Sequence, residues 1–411
     1  MKIRSITFFI DTNNADWDAE VFRLSQFSKE GKASFQSQGI EVQTCRLATR
    51  SFCEFLALDH PKKALDQVKD IANQTFDGGF DYLSLGPALT SQPASYGLIP
   101  YFLETTENIF FSGQITDNIS GIHLPSVRAC ARVIADSSKI TPDGFANLRF
   151  TALANVPAHT PFFPAAYHEG PQSGFALAVE SADIAVSAIR NSNDMAGAQA
   201  SLKANLEAAA EQISSIANEL SKKWNIDFYG IDFSYAPFPD PQCSLGTAIE
   251  LLGPEKTGQV GSLAAAAILA DSLDSGKWQK TGFNGLMMPV LEDAVLAQRS
   301  KDGTLTVKDL LMYSAVCGTG LDTVPLPGSA TTEDLTGLLL DIAALAQRLD
   351  KPLTARLMPV PGKLAGEETH FDFGFFANGK VLDLPTGTLS GLLSGNGSIL
   401  LHSRNWHKTH S

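Results

Sequence analysis

The chain has 411 residues, of which 44% are hydrophobic and 18% are charged, and its net charge is −13 at pH 7. This composition is that of a large soluble globular protein. The acidic balance argues against nucleic acid or an anionic membrane as a partner, because both require a positively charged surface. No apolar run reaches the roughly 18–20 residues that a membrane helix needs. Five scattered cysteines without paired spacing predict reduced thiols and a cytoplasmic location.

Short apolar, β-rich segments alternate with amphipathic helices along the chain, which is typical of an α/β protein with largely parallel strands. The predicted strands of the first half are 3–10, 40–46, 80–85, 108–113 and 148–154. Those of the second half are 175–180, 226–233, 283–290, 321–326 and 353–359. Apolar stripes at helical spacing cover 202–220 and 335–349, and Thr331 with Asp334 predicts a capping box before the second stripe.

A loop between these two sets of five strands fits neither regular pattern. It contains the sequence PFFPAAYHEGPQSG, which has too many prolines for a helix and too many apolar residues for a solvated linker. Prolines have no N–H group that would need a buried partner, so we expect this loop inside the protein. The predicted organisation is one domain over 1–411, with a first half (1–155), a central loop (156–174), a second half (175–365) and a C-terminal hairpin and tail (366–411). The hairpin is expected to turn at Asn378 and Gly379.

His168 and Glu169, near the middle of this loop, are the candidate catalytic residues. A neutral imidazole beside a carboxylate can serve as general base, metal ligand or substrate anchor. The alternative is a histidine that caps its own loop through hydrogen bonds. Adjacent residues of an extended segment point to opposite sides, so we favour His168 as the functional residue.

Three carboxylates are expected at the ends of strands in the second half, where α/β proteins often place their sites. Asp232 ends one predicted strand, and Glu292 and Asp293 follow another. Together with His168 they could form an oxygen-rich site for Mg²⁺ or Mn²⁺. The alternatives are structural: Asp232 fixes the proline-rich turn after its strand, and one of the other two caps the following helix.

Glycines before a predicted helix suggest an anion site formed by Gly258, Gly261 and Ser262, because free amides and the helix dipole favour negative charge. The alternative is a plain glycine turn with Ser262 as the N-cap. Lys363 lies in a predicted turn after a strand and could also contact an anion. Cys317 is interpreted as a structural thiol at a helix end. The sequence has no nicotinamide or flavin fingerprint.

Several motifs, taken in order, resemble the domain-of-unknown-function family number 711. They are IRSIT (3–7), ISGI (119–122), PFFPAAYH (161–168), GIDFSYAPFP (230–239), GQVGSLAAA (258–266), MPVLED (288–293), AVCGTGLDTVPLP (315–327) and RLMPVPGK (356–363). The resemblance implies the ten-stranded α/β barrel of glycyl-radical enzymes, in which two five-stranded parallel halves run antiparallel and a finger loop enters the lumen. It implies no particular activity. Radical chemistry is not expected, because residues 156–174 contain no cysteine and SGNGS at 394–398 does not resemble a glycyl-radical loop.

The expected function is that of a small-molecule enzyme that uses acid–base or metal-assisted chemistry in the barrel lumen. His168 would carry the proton, the three carboxylates would hold a metal or the substrate, and the glycines would bind an anion. The alternative is a non-catalytic ligand-binding or regulatory protein with the same barrel. The expected partners are a small, anionic ligand and a second copy of the chain in a homodimer.

Overall fold

The structure of the protein is a computed structural model, and it describes residues 1–12, 16–316, 319–385, 387 and 389–404. Nine strands form one large sheet, and helices lie between them in the chain. The strands are β1 (Lys2–Ile10), β2 (Val42–Thr49), β3 (Tyr82–Ala88), β4 (Ile109–Gln114), β5 (Phe150–Ala154), β6 (Gly174–Glu180), β7 (Asp227–Ala236), β8 (Gly320–Pro327) and β9 (Leu353–Val360). The helices are α1 (Trp17–Ser37), α2 (Pro61–Asp77), α3 (Ile99–Thr105), α4 (Leu124–Ser137), α5 (Ala182–Arg190), α6 (Met195–Trp224), α7 (Leu245–Leu251), α8 (Ser262–Ser275), α9 (Ala294–Asp302), α10 (Val307–Val316) and α11 (Thr332–Leu349).

The strand order of the sheet is β8-β9-β5-β4-β3-β2-β1-β6-β7. Strands β1 to β5 are parallel to one another. On one side β6 runs antiparallel to β1 and parallel to β7, and on the other side β9 runs antiparallel to β5 and parallel to β8. The α/β class and the opposite directions of the two halves are therefore confirmed. A small second sheet joins Thr116–Asp117, Gly121–His123 and Ser398–Ile399.

The predicted strand 283–290 is wrong. The backbone there is irregular, with positive φ at Gly282 (72°) and Asn284 (44°). The buried carboxylate of Asp232 accepts hydrogen bonds from the amides of Phe283 (2.9 Å) and Asn284 (3.1 Å), so these donors are not available to a neighbouring strand. The side chain of Asp232 on β7 thus takes the place of the backbone acceptors with which a tenth strand would have paired.

The same irregular segment nevertheless contacts the strands at both edges of the sheet. Lys280 bridges to Ile231 of β7, and Pro289 bridges to Asp322 of β8, each in the parallel sense. These are isolated bridges and not a strand. The ten-stranded barrel is therefore not confirmed, and the described residues form a nine-stranded sheet with an irregular segment between its two edges.

Helices cover one face of the sheet, as the apolar stripes predict. On α6 the stripe residues Leu202, Leu206, Ile213 and Leu220 are all buried. The predicted capping box of Thr331 and Asp334 is present at the start of α11. No helix in the described part of the chain is both long and apolar enough to cross a membrane.

The central loop packs on the face of the sheet that points away from the helices. Side chains alternate along a strand, so on β1 Phe8 belongs to the main core while Phe9 packs with Phe163 and Ala166 of the loop. The loop is also held by backbone acceptors and donors. Its carbonyl at Ala166 accepts from Ser84 Oγ (2.7 Å), and the amide of His168 donates to the Thr49 carbonyl (2.9 Å).

The expected tight turn at Asn378 and Gly379 is also wrong. Glu368 pairs with Lys380 in the antiparallel sense, as in a hairpin, but the connection between them is a wide loop. The side chain of Asn378 closes this loop by accepting from the amide of Phe371 (2.8 Å) and donating to its carbonyl (3.0 Å). Asn378 therefore acts through its side chain and not as a turn residue. Part of the predicted tail, 405–411, lies outside the described residues.

Asp232→Ala should lower the free energy of unfolding by about 2–4 kcal/mol, because it leaves the buried amides of Phe283 and Asn284 without acceptors. Asp232→Asn keeps one acceptor oxygen and should cost clearly less. Urea unfolding followed by circular dichroism measures both changes. An alanine variant as stable as the wild type would show that Asp232 does not determine the path of this segment.

Candidate functional site

A partly open cavity lies at the end of the sheet where β1 to β4 begin and where β6 and β7 finish. Three arginines reach it from different strands: Arg4 from β1, Arg46 from β2 and Arg356 from β9. Its other walls are mostly aromatic or aliphatic, and Phe373 and Phe375 come from the C-terminal loop. The remaining lining residues are Gln43, Thr44, Tyr82, Phe110, Leu148, Pro161, Phe162, Phe163, Ala178, Val179, Asp232, Ser234, Ala236, Met287 and Glu292. We call this the arginine cavity.

Two of the arginines take part in a buried network of ion pairs. Glu292 lies between them, accepting from Arg4 Nη2 on one oxygen and from Arg356 Nη2 (2.8 Å) on the other. Arg4 also binds Glu180 (3.0 Å), and Arg356 also binds Asp322 through Nε. Burial acts to lower the pKa of both guanidinium groups, but the neighbouring carboxylates outweigh it and raise each pKa above the usual value.

Arg46 differs from these two arginines because no described carboxylate lies within 4.0 Å of it. Its Nε donates to Thr44 Oγ1 (2.9 Å), and its Nη groups have no acceptor in the described parts of the chain. The guanidinium stacks 5.4 Å from the ring centre of Tyr82 and 5.2 Å from that of Phe163. Burial and the like charge of Arg4 lower the pKa of Arg46 to about 10. An anion beside Arg46 would remove this electrostatic penalty.

His168 does not line the arginine cavity. It lies near Thr49, at the opposite end of β2, and is 1% exposed. Its Nδ1 is 3.2 Å from Nε2 of His159. The same Nε2 lies 3.0 Å from the carbonyl oxygen of Glu169, and the imidazole ring of His159 stacks on the ring of Tyr229. A carbonyl only accepts, so Nε2 of His159 carries a proton. Within the described residues, Nε2 of His168 has no hydrogen-bond partner.

Both imidazoles are neutral at physiological pH. Burial, followed by the neighbouring His159, lowers the pKa of His168 to about 4, and burial also lowers the pKa of His159. Glu169 is exposed and lines a separate polar hollow with Asp117, Asn155 and other residues. The two predicted catalytic residues therefore point to opposite sides, and neither is in the same cavity as Asp232 and Glu292.

The metal site predicted from Asp232, Glu292 and Asp293 is not supported. Burial raises the pKa of Asp232, whose carboxylate is occupied by Ser234 and two amides. Asp293 accepts from Ser244 Oγ (2.6 Å) and from amides at the starts of α7 and α9, so it caps two helices, which confirms the structural alternative. Elsewhere in the described chain, no three His, Cys, Asp or Glu residues are grouped to hold a metal ion.

The predicted anion site lies away from the arginine cavity. The amide of Gly258 donates to Ser262 Oγ (3.2 Å) and Tyr313 Oη (3.1 Å), and the amide of Ser262 donates to the Gln259 carbonyl (3.1 Å). Gly261 is the N-cap of α8. Lys363 forms a turn after β9, in which its amide donates to the carbonyl of Val360. Cys317 lies outside the described residues.

Sequence reasoning missed the three arginines of the cavity. Each stands inside an apolar strand, in IRSIT, in TCRLAT and in TARLMPV. Arginine is seldom buried unless it is paired, so an arginine at an inward position of a buried strand is itself a signal of a site. That signal could have identified Arg4, Arg46 and Arg356 before the structure was known.

The fold and cavity define an α/β protein with an interior loop and a largely apolar site lined by arginines. The chain belongs to the family described as Uncharacterised ACR (DUF711), whose sequence model matches residues 1–378. A UPF0210 protein of Pyrobaculum aerophilum is 34% identical over 271 residues, which cover 64% of this chain and 58% of that protein. A UPF0210 protein of Pyrobaculum islandicum is 29% identical, covering 84% of this chain and 79% of its own length. A UPF0210 protein of Neisseria meningitidis is 26% identical over 97% of this chain and 93% of its own length.

The depressed pKa of His168 predicts acid sensitivity. The unfolded chain binds a proton at this residue below pH ~6.5, whereas the folded chain does so only near pH 4. This contribution to stability is therefore complete above the unfolded pKa and is lost as the pH falls towards 4. Between pH 7 and 5 the wild type should lose about 2 kcal/mol more than His168→Gln.

Urea unfolding at each pH measures this difference. His60→Gln, which changes an exposed histidine, is the matched control and should follow the wild type. Equal pH dependence in wild type and His168→Gln would contradict a buried, neutral imidazole at this position.

Proposed function

We propose that the protein binds a small organic anion in the arginine cavity, and that Arg46 contacts the anionic group. The observation that carries the proposal is a partly buried guanidinium that lines the cavity and has no carboxylate partner in the described chain. The other two arginines already have carboxylates on both sides. The contrast within one cavity indicates that Arg46 is reserved for a ligand.

The chemistry of guanidinium supports this assignment. Arginine presents paired N–H donors that match a carboxylate or phosphate in a bidentate arrangement. An uncompensated charge in a poorly hydrated interior is costly, so a site of this kind is retained where a ligand supplies the opposite charge. The rings of Tyr82 and Phe163 lie against the guanidinium, whose Nη groups have no acceptor in the described chain.

The closed barrel expected from the sequence belongs to the same proposal. Strands β9 and β1 are separated by four strands in the sheet, yet Arg356 and Arg4 contact the same carboxylate of Glu292. Neighbouring strands are about 4.8 Å apart, so a flat sheet would hold these side chains beyond each other's reach. We infer that segment 279–290 closes the ring between β7 and β8, which would place the cavity in its lumen. A cytoplasmic location and a homodimer remain predictions.

Arg46→Met should abolish anion binding and leave the fold intact. Thermal unfolding is measured with and without the potassium salts of benzoate, phenyl phosphate and inorganic phosphate, against potassium chloride of equal ionic strength. At least one salt should raise the melting temperature of the wild type, because a ligand of the folded state stabilises it. The shift should disappear in Arg46→Met.

Arg190→Met, at an exposed helical position, is the matched control and should keep the response. The proposal is wrong if no salt acts on the wild type, or if Arg46→Met responds as the wild type does. Circular dichroism establishes that each variant is folded.

Acid–base catalysis on the bound anion is the second candidate function. The observation that favours it is the position of Glu292, a carboxylate that lines the same cavity as Arg46. Held between Arg4 and Arg356, it has a fixed orientation, and each of its oxygens accepts one arginine N–H and keeps a second lone pair that can take a proton. His168, the proton carrier expected from the sequence, does not line this cavity, so Glu292 takes that role in the proposal.

Glu292→Gln should stop proton exchange on a bound 2-oxo acid. With phenylpyruvate in D₂O, the wild type should exchange the protons on the carbon next to the carbonyl faster than buffer alone, as followed by NMR. Removal of the base should return the rate to that of buffer. Glu41→Gln, an exposed carboxylate, is the control. Exchange at the wild-type rate in Glu292→Gln would exclude Glu292 as the base.

A further inference from the structure

We infer that the ligand of the arginine cavity is an anion with a single carboxylate or phosphate group and a compact apolar body, such as an aryl or branched-alkyl carboxylate or phosphate ester, and not a sugar phosphate or another polyhydroxylated anion. This inference rests on the proposed function, because it concerns the part of the ligand that Arg46 does not contact. It follows from which hydrogen-bonding groups in the cavity are already occupied and from what the remaining walls are made of.

Most polar side chains of the cavity already have protein partners. The hydroxyl of Thr44 donates to the carbonyl of Arg4 (2.7 Å) and accepts from Arg46. The carboxylate of Asp232 accepts hydrogen bonds from Ser234 Oγ and from two backbone amides. Ser234 Oγ in turn accepts from the amide of Gly285 (3.3 Å). The hydroxyl protons of Thr44 and Ser234 are thus used within the protein, and these groups offer a ligand only their remaining acceptor lone pairs.

Few hydrogen-bonding positions remain for a ligand. Both oxygens of Glu292 are paired with arginines, and the amide nitrogen of Gln43 donates to Glu180 (2.9 Å). In the described chain, the cavity groups without a protein partner include the Nη groups of Arg46 and the hydroxyl of Tyr82. A sugar phosphate carries several hydroxyls and would leave most of them buried and unsatisfied, at a cost for each of them.

The walls opposite these groups are aromatic. Six aromatic side chains line the cavity, and the ring of Phe162 stacks 5.2 Å from Arg356 while that of Phe375 lies 5.8 Å from Arg4. The guanidinium groups thus cover ring faces and hold the rings in place. Met287 and Leu148 add aliphatic surface. An apolar ligand body would bury area against these walls without removing any hydrogen bond.

The C-terminal loop supplies the wall that is easiest to alter. Phe373 and Phe375 are half-buried, and they stand on a loop anchored by the buried Phe371 and Phe376. Phe375 packs edge-to-face on Phe238, and the ring centres are 5.9 Å apart. Truncating Phe373 removes apolar wall without touching the arginines or their carboxylates, whereas truncating Phe375 also removes the ring that Arg4 covers.

The test is isothermal titration of the wild-type chain with two series of potassium salts. The apolar series is benzoate, cyclohexanecarboxylate and phenyl phosphate, and the polar series is acetate, inorganic phosphate and glucose 6-phosphate. The best member of the apolar series should bind at least about tenfold more tightly than any member of the polar series. The carboxylate and phosphate members of the apolar series distinguish the two kinds of anionic group.

Phe375→Ala and Phe373→Ala should weaken binding of the apolar series by about threefold to tenfold and leave acetate unchanged. Phe22→Ala, which truncates an exposed phenylalanine on α1, is the matched control. Acetate, phosphate or glucose 6-phosphate binding as tightly as benzoate, with dependence on Arg46, would overturn the apolar class and leave the proposed function standing. If no salt binds in a manner that depends on Arg46, the proposed function fails and this inference fails with it.

Discussion

The structure depends on the chain of charges that runs from Glu180 through Arg4, Glu292 and Arg356 to Asp322. It joins the neighbouring strands β6 and β1 to the neighbouring strands β9 and β8, although four strands separate the two pairs in the sheet. The link between them is Glu292, which follows the irregular segment 279–290. Buried charges are tolerated only when each is paired, so these ion pairs can form only if the sheet curves enough to bring the strands together. Curvature and charge pairing therefore require each other.

Positive and negative charges alternate along this network of ion pairs, and each of its two arginines has a carboxylate on both sides. Arg46 stands beside it with a third positive charge and no carboxylate partner among the described residues, and burial together with the charge of Arg4 lowers its pKa. The neighbouring carboxylates cannot turn to it without leaving Arg4 or Arg356 unpaired. The network thus fixes its own members and at the same time leaves Arg46 available for the proposed anion, although the whole chain is acidic.

The sequence predicted nine of the ten expected strands because each is an apolar run of the right length, a local property. It failed at 283–290, where the deciding partner, Asp232, is more than fifty residues away in the chain. One of the alternatives given for Glu292 and Asp293, a cap of the following helix, is what the structure has at Asp293. An N-cap can be predicted because it is a local signal. The arginine cavity was missed because its members meet only after β1, β2 and β9 are assembled, and no local spacing encodes that meeting.

The central loop explains why the two sets of candidate residues are separate. Pro161, Phe162 and Phe163 form one wall of the arginine cavity, while His168, a few residues later, lies by the far end of β2. Between them, Ala165 and Ala166 are fully buried against the sheet, so the loop fills the space that would otherwise connect the two ends. A neutral His159–His168 pair suits that position, since burial disfavours a charged imidazole at either residue. The loop would therefore confine the proposed ligand to the arginine end, where the first residues of the loop supply part of the apolar wall.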